Sequence, residues 1–149
     1  MKILSVRPPW SSLMFRPVAP KDIENRVWAA PSAIIGERIA IHSALKLDPA
    51  GLPFTDETFQ IRASNDRGHV LGTVTVTGCH EAGSRSCTWH SCAENPWAMW
   101  PDAEHPVIFH WELEHPHALV TPIKARGALG LWNPDERLAH LLDLGDVKL

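Results

Sequence analysis

The sequence predicts a mixed α+β fold that is mainly β, with a small barrel-like sheet and short helices at its rim. Many short runs have the β-branched or alternating character of strands, and only a few short segments have helical character. The spacing between strands leaves no room for βαβ units, which favours antiparallel pairing. The 13 prolines also favour short strands and turns over long helices.

The first quarter of the chain predicts two strands and one helix. Residues 3–6 form an apolar run of strand type, and the prolines that follow suit the first turn of a helix at 10–15. In that helix Trp10, Leu13 and Met14 share one face. Residues 22–28 then predict a strand or strand edge.

The middle of the chain predicts two strands around a short helix. Residues 37–43 are typical of a buried strand, and 69–77 alternate with high β-branched content around Gly72. Residues 52–59 contain a short helix for which Thr55 is the predicted cap.

The last part begins with a long excursion at 78–102 that is rich in Cys, His, Ser, Trp and Pro. Four elements are predicted after it: strands at 107–113, 118–121 and 128–132, and a helix at 137–144 that Gly145 ends.

Length and composition predict one globular domain spanning residues 1–149. The hydrophobic fraction of 44% and the charged fraction of 21% are ordinary for such a domain. No run approaches the ~20 apolar residues of a membrane helix, and the first five residues are too short for a signal peptide, so we expect a cytoplasmic protein without membrane partners. The three cysteines are odd in number and clustered, which argues against a secreted disulfide framework.

The net charge of −3 does not indicate a nucleic-acid binder, but cations are concentrated in two segments. If these segments meet in the fold, they would form a positive patch on a mildly acidic protein. The cations concerned are Arg7, Arg16, Lys21, Arg26, Lys124 and Arg126.

The stretch 21–28 is too polar for a core and too apolar for a solvated loop. Lys21, Glu24 and Arg26 alternate with apolar residues such as Ile23 and Trp28. One interpretation is a strand that roots its apolar groups in the core and turns its polar groups toward a cleft. The other is a surface strand carrying salt bridges.

An ordered set of motifs resembles the ASCH domain over residues 2–133 or so. The motifs are Ile3-Leu4-Ser5-Val6-Arg7-Pro8-Pro9-Trp10, Lys21-x-Ile23-Glu24-Asn25-Arg26-x-Trp28, Ile41-His42-Ser43, Leu71-Gly72-Thr73-Val74, His110-Trp111-Glu112-Leu113 and Gly127-x-Leu129-Gly130-Leu131-Trp132. The resemblance implies a small β-barrel like that of the PUA, EVE and YTH domains, with helices framing a cleft. It also implies binding of RNA or another nucleic acid, often at an accessible or modified base.

The expected partner is therefore RNA, a single-stranded nucleic acid or a nucleoside. Basic side chains hold phosphates, while Trp and Arg planes stack on splayed bases, and a carboxylate beside an amide reads a base edge. Trp10, Trp28 and Trp132 are the candidate stacking platforms, with core filling as the alternative for each. The predicted binding residues are Arg7, Trp10, Lys21, Glu24, Asn25, Arg26, Trp28, His42, Ser43, Lys124 and Arg126.

A hydrolase is the alternative function. Some ASCH relatives hydrolyse acetylated cytidine, and at least one is described as a ribonuclease. In the acetylcytidine hydrolases a Lys is followed three residues later by a Thr nucleophile; here Lys21 matches, but Glu24 stands in place of the Thr. Lys21 and Glu24 would be the catalytic residues if the protein is an enzyme, with Glu24 as a general base or acyl acceptor. His42 and Ser43 are neighbours on a predicted strand, so they point to opposite faces and make a poor nucleophile–base pair.

The sequence predicts no cofactor, and one metal site stays open as an alternative. Cys79-His80, Cys87, His90 and Cys92 lie close enough in sequence to hold zinc and order the excursion, which would make the protein a metal-ordered interaction module. The candidate ligands are Cys79, Cys87, His90 and Cys92. Their spacing is not that of a paired-cysteine zinc ribbon, and a set of reduced, partly buried cysteines is the simpler interpretation.

Overall fold

The structure is a computed structural model that describes residues 1–84, 87 and 94–147. Six strands form one sheet with the hydrogen-bonded order β2-β5-β4-β3-β1-β6. The strands are β1 Ile3–Val6, β2 Ile23–Arg26, β3 Arg38–Ser43, β4 His69–Glu81, β5 Phe109–Lys124 and β6 Leu131–Trp132. The helices are α1 Trp10–Leu13, α2 Glu57–Asp66 and α3 Glu136–Val147, with 3-10 turns at Ser32–Ile34 and Pro49–Phe54. The predicted fold class is confirmed: the chain is mainly β with a few short helices, consistent with a PUA-like β-barrel.

The chain divides into two compact units, and β4 and β5 contribute to both. The first unit contains Met1–Pro20, Ile39–Val74 and Pro116–Leu149, and the second contains Lys21–Arg38 and Thr75–His115. A single domain over 1–149 stays a prediction. None of the helices in the described part of the chain is long and apolar enough to cross a membrane.

In the first unit, β1 lies between two partners. It pairs in parallel with β3, so that Ser5 is opposite His42 and Val6 opposite Ser43, and it pairs antiparallel with β6. Helix α3 packs on this part of the sheet because its apolar stripe joins the core of the unit. The buried members of that core are Ile3, Ala40, Val70, Leu138 and Leu142.

In the second unit, β2 is an edge strand that pairs antiparallel with β5. Ile23 is opposite Glu112, Glu24 opposite Trp111, Asn25 opposite His110 and Arg26 opposite Phe109. Directly opposed residues of antiparallel strands point to the same face of the sheet. Glu24 and Arg26 therefore share a face with Trp111, whereas Asn25 shares the opposite face with His110 and Glu112.

Several sequence predictions need correction in their details. The helix predicted within 52–59 is α2 at Glu57–Asp66, and β4 continues to Glu81, into the predicted excursion. Thr55 does not cap α2: the carboxylate of Asp56 accepts from Phe59 N at 2.8 Å, and Thr55 instead closes the preceding 3-10 turn. Helix α3 runs through Gly145 to Val147, since glycine is tolerated in a helix that its neighbours hold. The strands predicted at 107–113 and 118–121 are one strand, β5, and the strand predicted at 128–132 is only β6.

Candidate functional site

Two charged side chains of opposite sign lie buried at the start of β2. The Lys21 side chain is 1% exposed and that of Glu24 is 7% exposed. Lys21 Nζ donates to the Ile23 carbonyl and to Glu24 Oε1, the latter at 3.2 Å. Glu24 Oε1 also accepts from the backbone N–H of Asn25 at 3.1 Å. The Lys21–Glu24 pair is thus fixed by hydrogen bonds from side chain and backbone.

Burial makes this pair energetically expensive to keep. Removal of water lowers the pKa of Lys21, and the Glu24 carboxylate opposes that shift. The second carboxylate oxygen, Glu24 Oε2, is buried and accepts no hydrogen bond from any described residue. It lies 3.8 Å from Arg26 Nη2, beyond hydrogen-bonding distance. A buried acceptor left without a hydrogen bond costs about 1–3 kcal/mol, and the ion pair with Arg26 offsets part of that cost.

Arg26 and Trp28 lie beside the pair. The guanidinium carbon of Arg26 is 6.0 Å from the ring centroid of Trp28, at the limit of a cation–π contact. Trp28 itself is half-buried and meets Trp111 edge to face, with 4.8 Å between ring centroids. Trp28 therefore both fills space against the core and retains an accessible part.

Asn25 has a different role from its neighbours on β2. Its side-chain amide donates to Trp97 O at 2.8 Å, and its side-chain oxygen accepts from Met99 N at 2.9 Å. Both ends of the amide are thus engaged in holding residues 97–99 against the strand. Recognition of a base edge by Asn25, as the sequence predicts, would have to use its remaining hydrogen-bonding capacity.

The first unit contains the other predicted residues, among them His42. The buried His42 ring meets Trp132 edge to face at 5.7 Å, and its Nε2 lies 2.8 Å from Ala125 O. Gly127 lies directly against this ring, because a Cβ there would be 2.5 Å from His42 Cε1. Burial lowers the pKa of His42, and the hydrogen bond to Ala125 opposes that shift.

Lys124 and Arg126 are exposed residues on either side of Ala125. Their backbone is held by the contact of Ala125 with His42, so the two cations project from an anchored segment. Trp132 is half-buried and donates from Nε1 to Ser5 Oγ at 2.9 Å, which ties it to β1.

Trp10 and Ser43 are structural partners within the same unit. Trp10 is only 8% exposed, donates from Nε1 to Asp48 at 2.9 Å and packs against Phe54. Ser11 Oγ donates to Ser43 Oγ at 2.8 Å in a fully buried contact. Arg7 is exposed just after β1.

The structure therefore groups the predicted residues by unit. In the second unit it brings together Lys21, Glu24, Arg26 and Trp28. In the first, it associates His42 with Trp132 and with the segment of Lys124 and Arg126.

The sequence-predicted metal ligands are placed differently. Cys79 is a free cysteine whose sulfur accepts from Ala30 N at 3.4 Å, and burial raises the pKa of its thiol. His90 and Cys92 lie outside the described residues. Instead, the potential ligand atoms of His80, Cys87 and His110 all lie within 4.8 Å of one another. The expected set of reduced cysteines needs correction, because the Cys87 sulfur is in a disulfide bond.

Sequence reasoning missed His110 and Trp111 as site residues. Both stand on β5, where the pairing with β2 brings them next to Asn25 and Glu24. The signal was present in the alternation of residues 107–113, but the register between the strands was needed to use it.

Comparison with known proteins supports this fold by structure and not by sequence. No protein-family model and no curated protein matches the chain. The structure of an ASCH protein from Zymomonas mobilis superposes with a TM-score of 0.57 at 13% identity, covering 96% of this chain and 94% of that chain. A serine-to-alanine variant of the same protein superposes with a TM-score of 0.57 at 14% identity, with the same coverage of both chains. A tyrosine-to-phenylalanine variant gives 0.56 at 13%, covering 96% of each chain.

At this identity the likeness is one of fold. The predicted resemblance is confirmed at that level: the chain has the fold of an ASCH-type domain.

Proposed function

We propose that the protein binds single-stranded nucleic acid, RNA in the first instance, by accepting a hydrogen bond from a base at Glu24 Oε2. The observation that carries this proposal is the buried carboxylate oxygen without a described donor. Every nucleobase presents an N–H donor on its Watson–Crick edge once it is unpaired. A ligand of this kind would satisfy the oxygen and offset its desolvation.

The surroundings of Glu24 suit such a ligand. Arg26 and Trp28 offer a cationic and an aromatic plane for stacking on the base. Because Lys21 and Asn25 N both donate to Oε1, the carboxylate is fixed in orientation before a ligand arrives. A fixed acceptor loses little side-chain entropy when it binds.

The first unit offers exposed cations that would contact phosphate groups in their own right, independently of the Glu24 site. Lys124 and Arg126 are exposed on an anchored segment, and Arg7 is exposed as well. Lys and Arg at such positions contribute affinity that depends on salt and carries no base preference.

Titration of labelled single-stranded RNA and DNA at two salt concentrations tests the proposal. Binding that weakens with salt is expected, and the absence of salt-sensitive binding to either polymer would overturn it. In Glu24→Gln the amide oxygen is expected to stay with the donors Lys21 Nζ and Asn25 N, which turns the amide NH2 toward the position of Oε2. A donor then replaces the acceptor, and affinity should fall roughly 10- to 150-fold, as for a lost charged hydrogen bond.

Two matched controls separate base recognition from charge. Glu114→Gln makes the same change at an exposed carboxylate of β5 and should leave affinity unchanged. Lys124→Ala should reduce the salt slope by about 0.7, whereas Lys46→Ala at another exposed lysine should not. Equal losses in Glu24→Gln and Glu114→Gln would argue against a specific role for Glu24.

A hydrolase acting on acetylated cytidine or on RNA is the second candidate, and the buried Lys21–Glu24 pair, joined by a contact of 3.2 Å, favours it. Burial lowers the pKa of Lys21 beside a carboxylate, and an amine with a lowered pKa can exchange protons with a substrate. Release of acetate from N4-acetylcytidine or of fragments from RNA, lost in Lys21→Met and in Glu24→Gln, would support this function. If the wild-type protein produces neither, the hydrolase should be abandoned, whatever the result for binding.

A further inference from the structure

Three side chains with metal-binding donors converge in the second unit, on the face of the sheet that Asn25 shares. His80 lies near the end of β4 and His110 near the start of β5, and they are 7% and 0% exposed. Cys87 is half-buried on the segment between these strands, where its backbone N–H donates to Ser84 O at 3.0 Å. The donor atoms of the three side chains all lie within 4.8 Å of one another.

The hydrogen bonds of His110 fix which of its nitrogens can bind a metal. Nε2 lies 2.8 Å from Met99 O, and a carbonyl oxygen only accepts, so Nε2 carries the proton. The lone pair is therefore on Nδ1, which lies 3.1 Å from His80 Nε2. Two nitrogens bound to one tetrahedral zinc ion stand about 3.3 Å apart, so the two rings already have the required spacing.

His80 has a carboxylate behind its other nitrogen. His80 Nδ1 lies 3.7 Å from Glu112 Oε1, which is within ion-pair range but beyond hydrogen-bonding distance. Gly78 makes room for this carboxylate, because a Cβ at that position would be 2.0 Å from Glu112 Oε2. A carboxylate on the far side of a histidine is the usual support of a zinc ligand, since it fixes the tautomer and the ring orientation.

We propose that the reduced protein binds one Zn²⁺ through His80 Nε2, Cys87 Sγ and His110 Nδ1. Two imidazoles and a thiolate form a donor set that zinc prefers among the common divalent ions. The ion would connect Cys87 to His80 on β4 and His110 on β5. The remaining coordination position is taken by water or another donor, since the group of described residues supplies three ligands.

The oxidation state of Cys87 decides whether the site can form. Its sulfur is engaged in a disulfide bond, and a disulfide sulfur does not act as a zinc thiolate. A dithiol reductant, which supplies two electrons and two protons and is itself oxidised to a disulfide, frees the thiol. When zinc binds, the Cys87 proton leaves to solvent, and the His80 proton moves from Nε2 to Nδ1, where it faces Glu112.

Cys79 supplies a matched control. It precedes His80 on β4, so the two side chains point to opposite faces of the sheet, and the Cys79 sulfur contacts Ala30 N instead. Cys79→Ser and Cys87→Ser are the same chemical change at two half-buried cysteines, of which only Cys87 belongs to the group.

The test is metal binding by reduced, chelator-stripped protein. Titration with Co²⁺ should give the d–d absorption of a tetrahedral site and a thiolate-to-cobalt charge-transfer band at one ion per chain, and Zn²⁺ should displace the Co²⁺. Cys79→Ser should behave as wild type. Cys87→Ser should lose the charge-transfer band, and its zinc affinity should fall at least about 100-fold. Glu112→Gln changes a supporting group, so its zinc affinity should fall about 10- to 100-fold.

Either of two results would overturn the proposal. One is the absence of stoichiometric Co²⁺ or Zn²⁺ binding by the reduced wild-type protein. The other is equal zinc affinity of Cys87→Ser and Cys79→Ser, with circular dichroism showing both variants folded. Glu112→Gln keeps the proposal testable if Cys87→Ser does not fold, because the Glu112 side chain is 40% exposed and its loss should be tolerated. Unchanged zinc affinity in Glu112→Gln would then count against the site.

Discussion

His42 Nε2 lies 2.8 Å from the carbonyl oxygen of Ala125, the residue between the exposed cations Lys124 and Arg126. Because the carbonyl only accepts, Nε2 carries the proton and Nδ1 holds the lone pair. Nδ1 is buried and receives no hydrogen bond from the described residues. His42 is thus a neutral imidazole in the fold, and it positions the basic segment of the first unit.

The lowered pKa of His42 predicts a loss of stability in acid. The unfolded chain, in which His titrates near 6.5, takes up the proton more readily than the folded chain does. The contribution of His42 to the free energy of unfolding is therefore fully present above its pKa in the unfolded chain. It is lost as the pH falls from that pKa toward the lower pKa of the folded chain. Urea unfolding at about pH 7.5 and about pH 5.5 should show this fall, to which His110, whose pKa burial also lowers, contributes in the same direction.

His42→Gln isolates the contribution of that residue. Glutamine keeps a side-chain N–H for Ala125 but does not titrate, so the fall in unfolding free energy between the two pH values should be smaller than in wild type. His105→Gln, at a histidine that is 55% exposed, should retain the full fall. The same pH dependence in all three proteins would contradict the assignment to His42.

Gly127→Ala should destabilise the protein. The new Cβ would be 2.5 Å from Cε1 and 2.6 Å from Nδ1 of the buried His42 ring, and overpacking of this kind costs about 1–3 kcal/mol. Leu129→Ala nearby removes a side chain that is 98% exposed and should change the unfolding free energy little. Urea unfolding of Gly127→Ala and Leu129→Ala checks the contact between residue 127 and the His42 ring. Equal free energies of unfolding would show that the His42 ring moves aside at no cost.

Lys21 and Glu24 should be strongly coupled in stability. Glu24→Gln or Lys21→Met alone leaves a buried partner charge uncompensated, at a cost of about 3–5 kcal/mol. The double variant should lose less free energy of unfolding than the two single variants together, and the difference, which is the coupling energy, should be about 1–3 kcal/mol. A double-mutant cycle by urea unfolding measures this coupling, and strictly additive losses would mean that the buried pair does not act as a unit.

Because Ser11 and Ser43 share a buried hydrogen bond, we expect a single serine-to-alanine variant to be less stable than the double variant. Ser43→Ala leaves the buried Ser11 hydroxyl without this partner and should cost about 1–3 kcal/mol. Ser11→Ala/Ser43→Ala removes both hydroxyls and should be closer to wild type than either single variant. Thermal unfolding of the three variants decides the matter, and a double variant less stable than both singles would refute it.

Local sequence patterns were sufficient for the class of fold and for most strands. Alternation over 69–77 and the polar–apolar pattern of 22–28 predicted β4 and β2, because a half-buried strand imposes that period on its own residues. The cap of α2 was misplaced by one residue, since Thr55 and Asp56 are both good capping types and only the backbone geometry distinguishes them.

Contacts between distant residues were beyond such patterns. His80 and His110 are 30 positions apart and meet only because β4 and β5 are neighbours in the sheet. The ligands predicted from the sequence were residues close together in the chain, and for that reason they included Cys79 and left out His110. Similarly, nothing in the local sequence shows that Glu24 keeps one oxygen without a donor, because that depends on what the fold places around it.

The two faces of β2 have a consequence for the genetics of this protein. Asn25 holds residues 97–99, and within that segment Met99 O orients the ring of His110. A substitution of the Asn25 side chain therefore disturbs the histidine pair on its own face of the strand, whereas the backbone N–H that Asn25 donates to Glu24 stays in place. Loss of function in an Asn25 variant would thus point to the face of His110 and Glu112, whereas loss in a Glu24 variant would point to the other face.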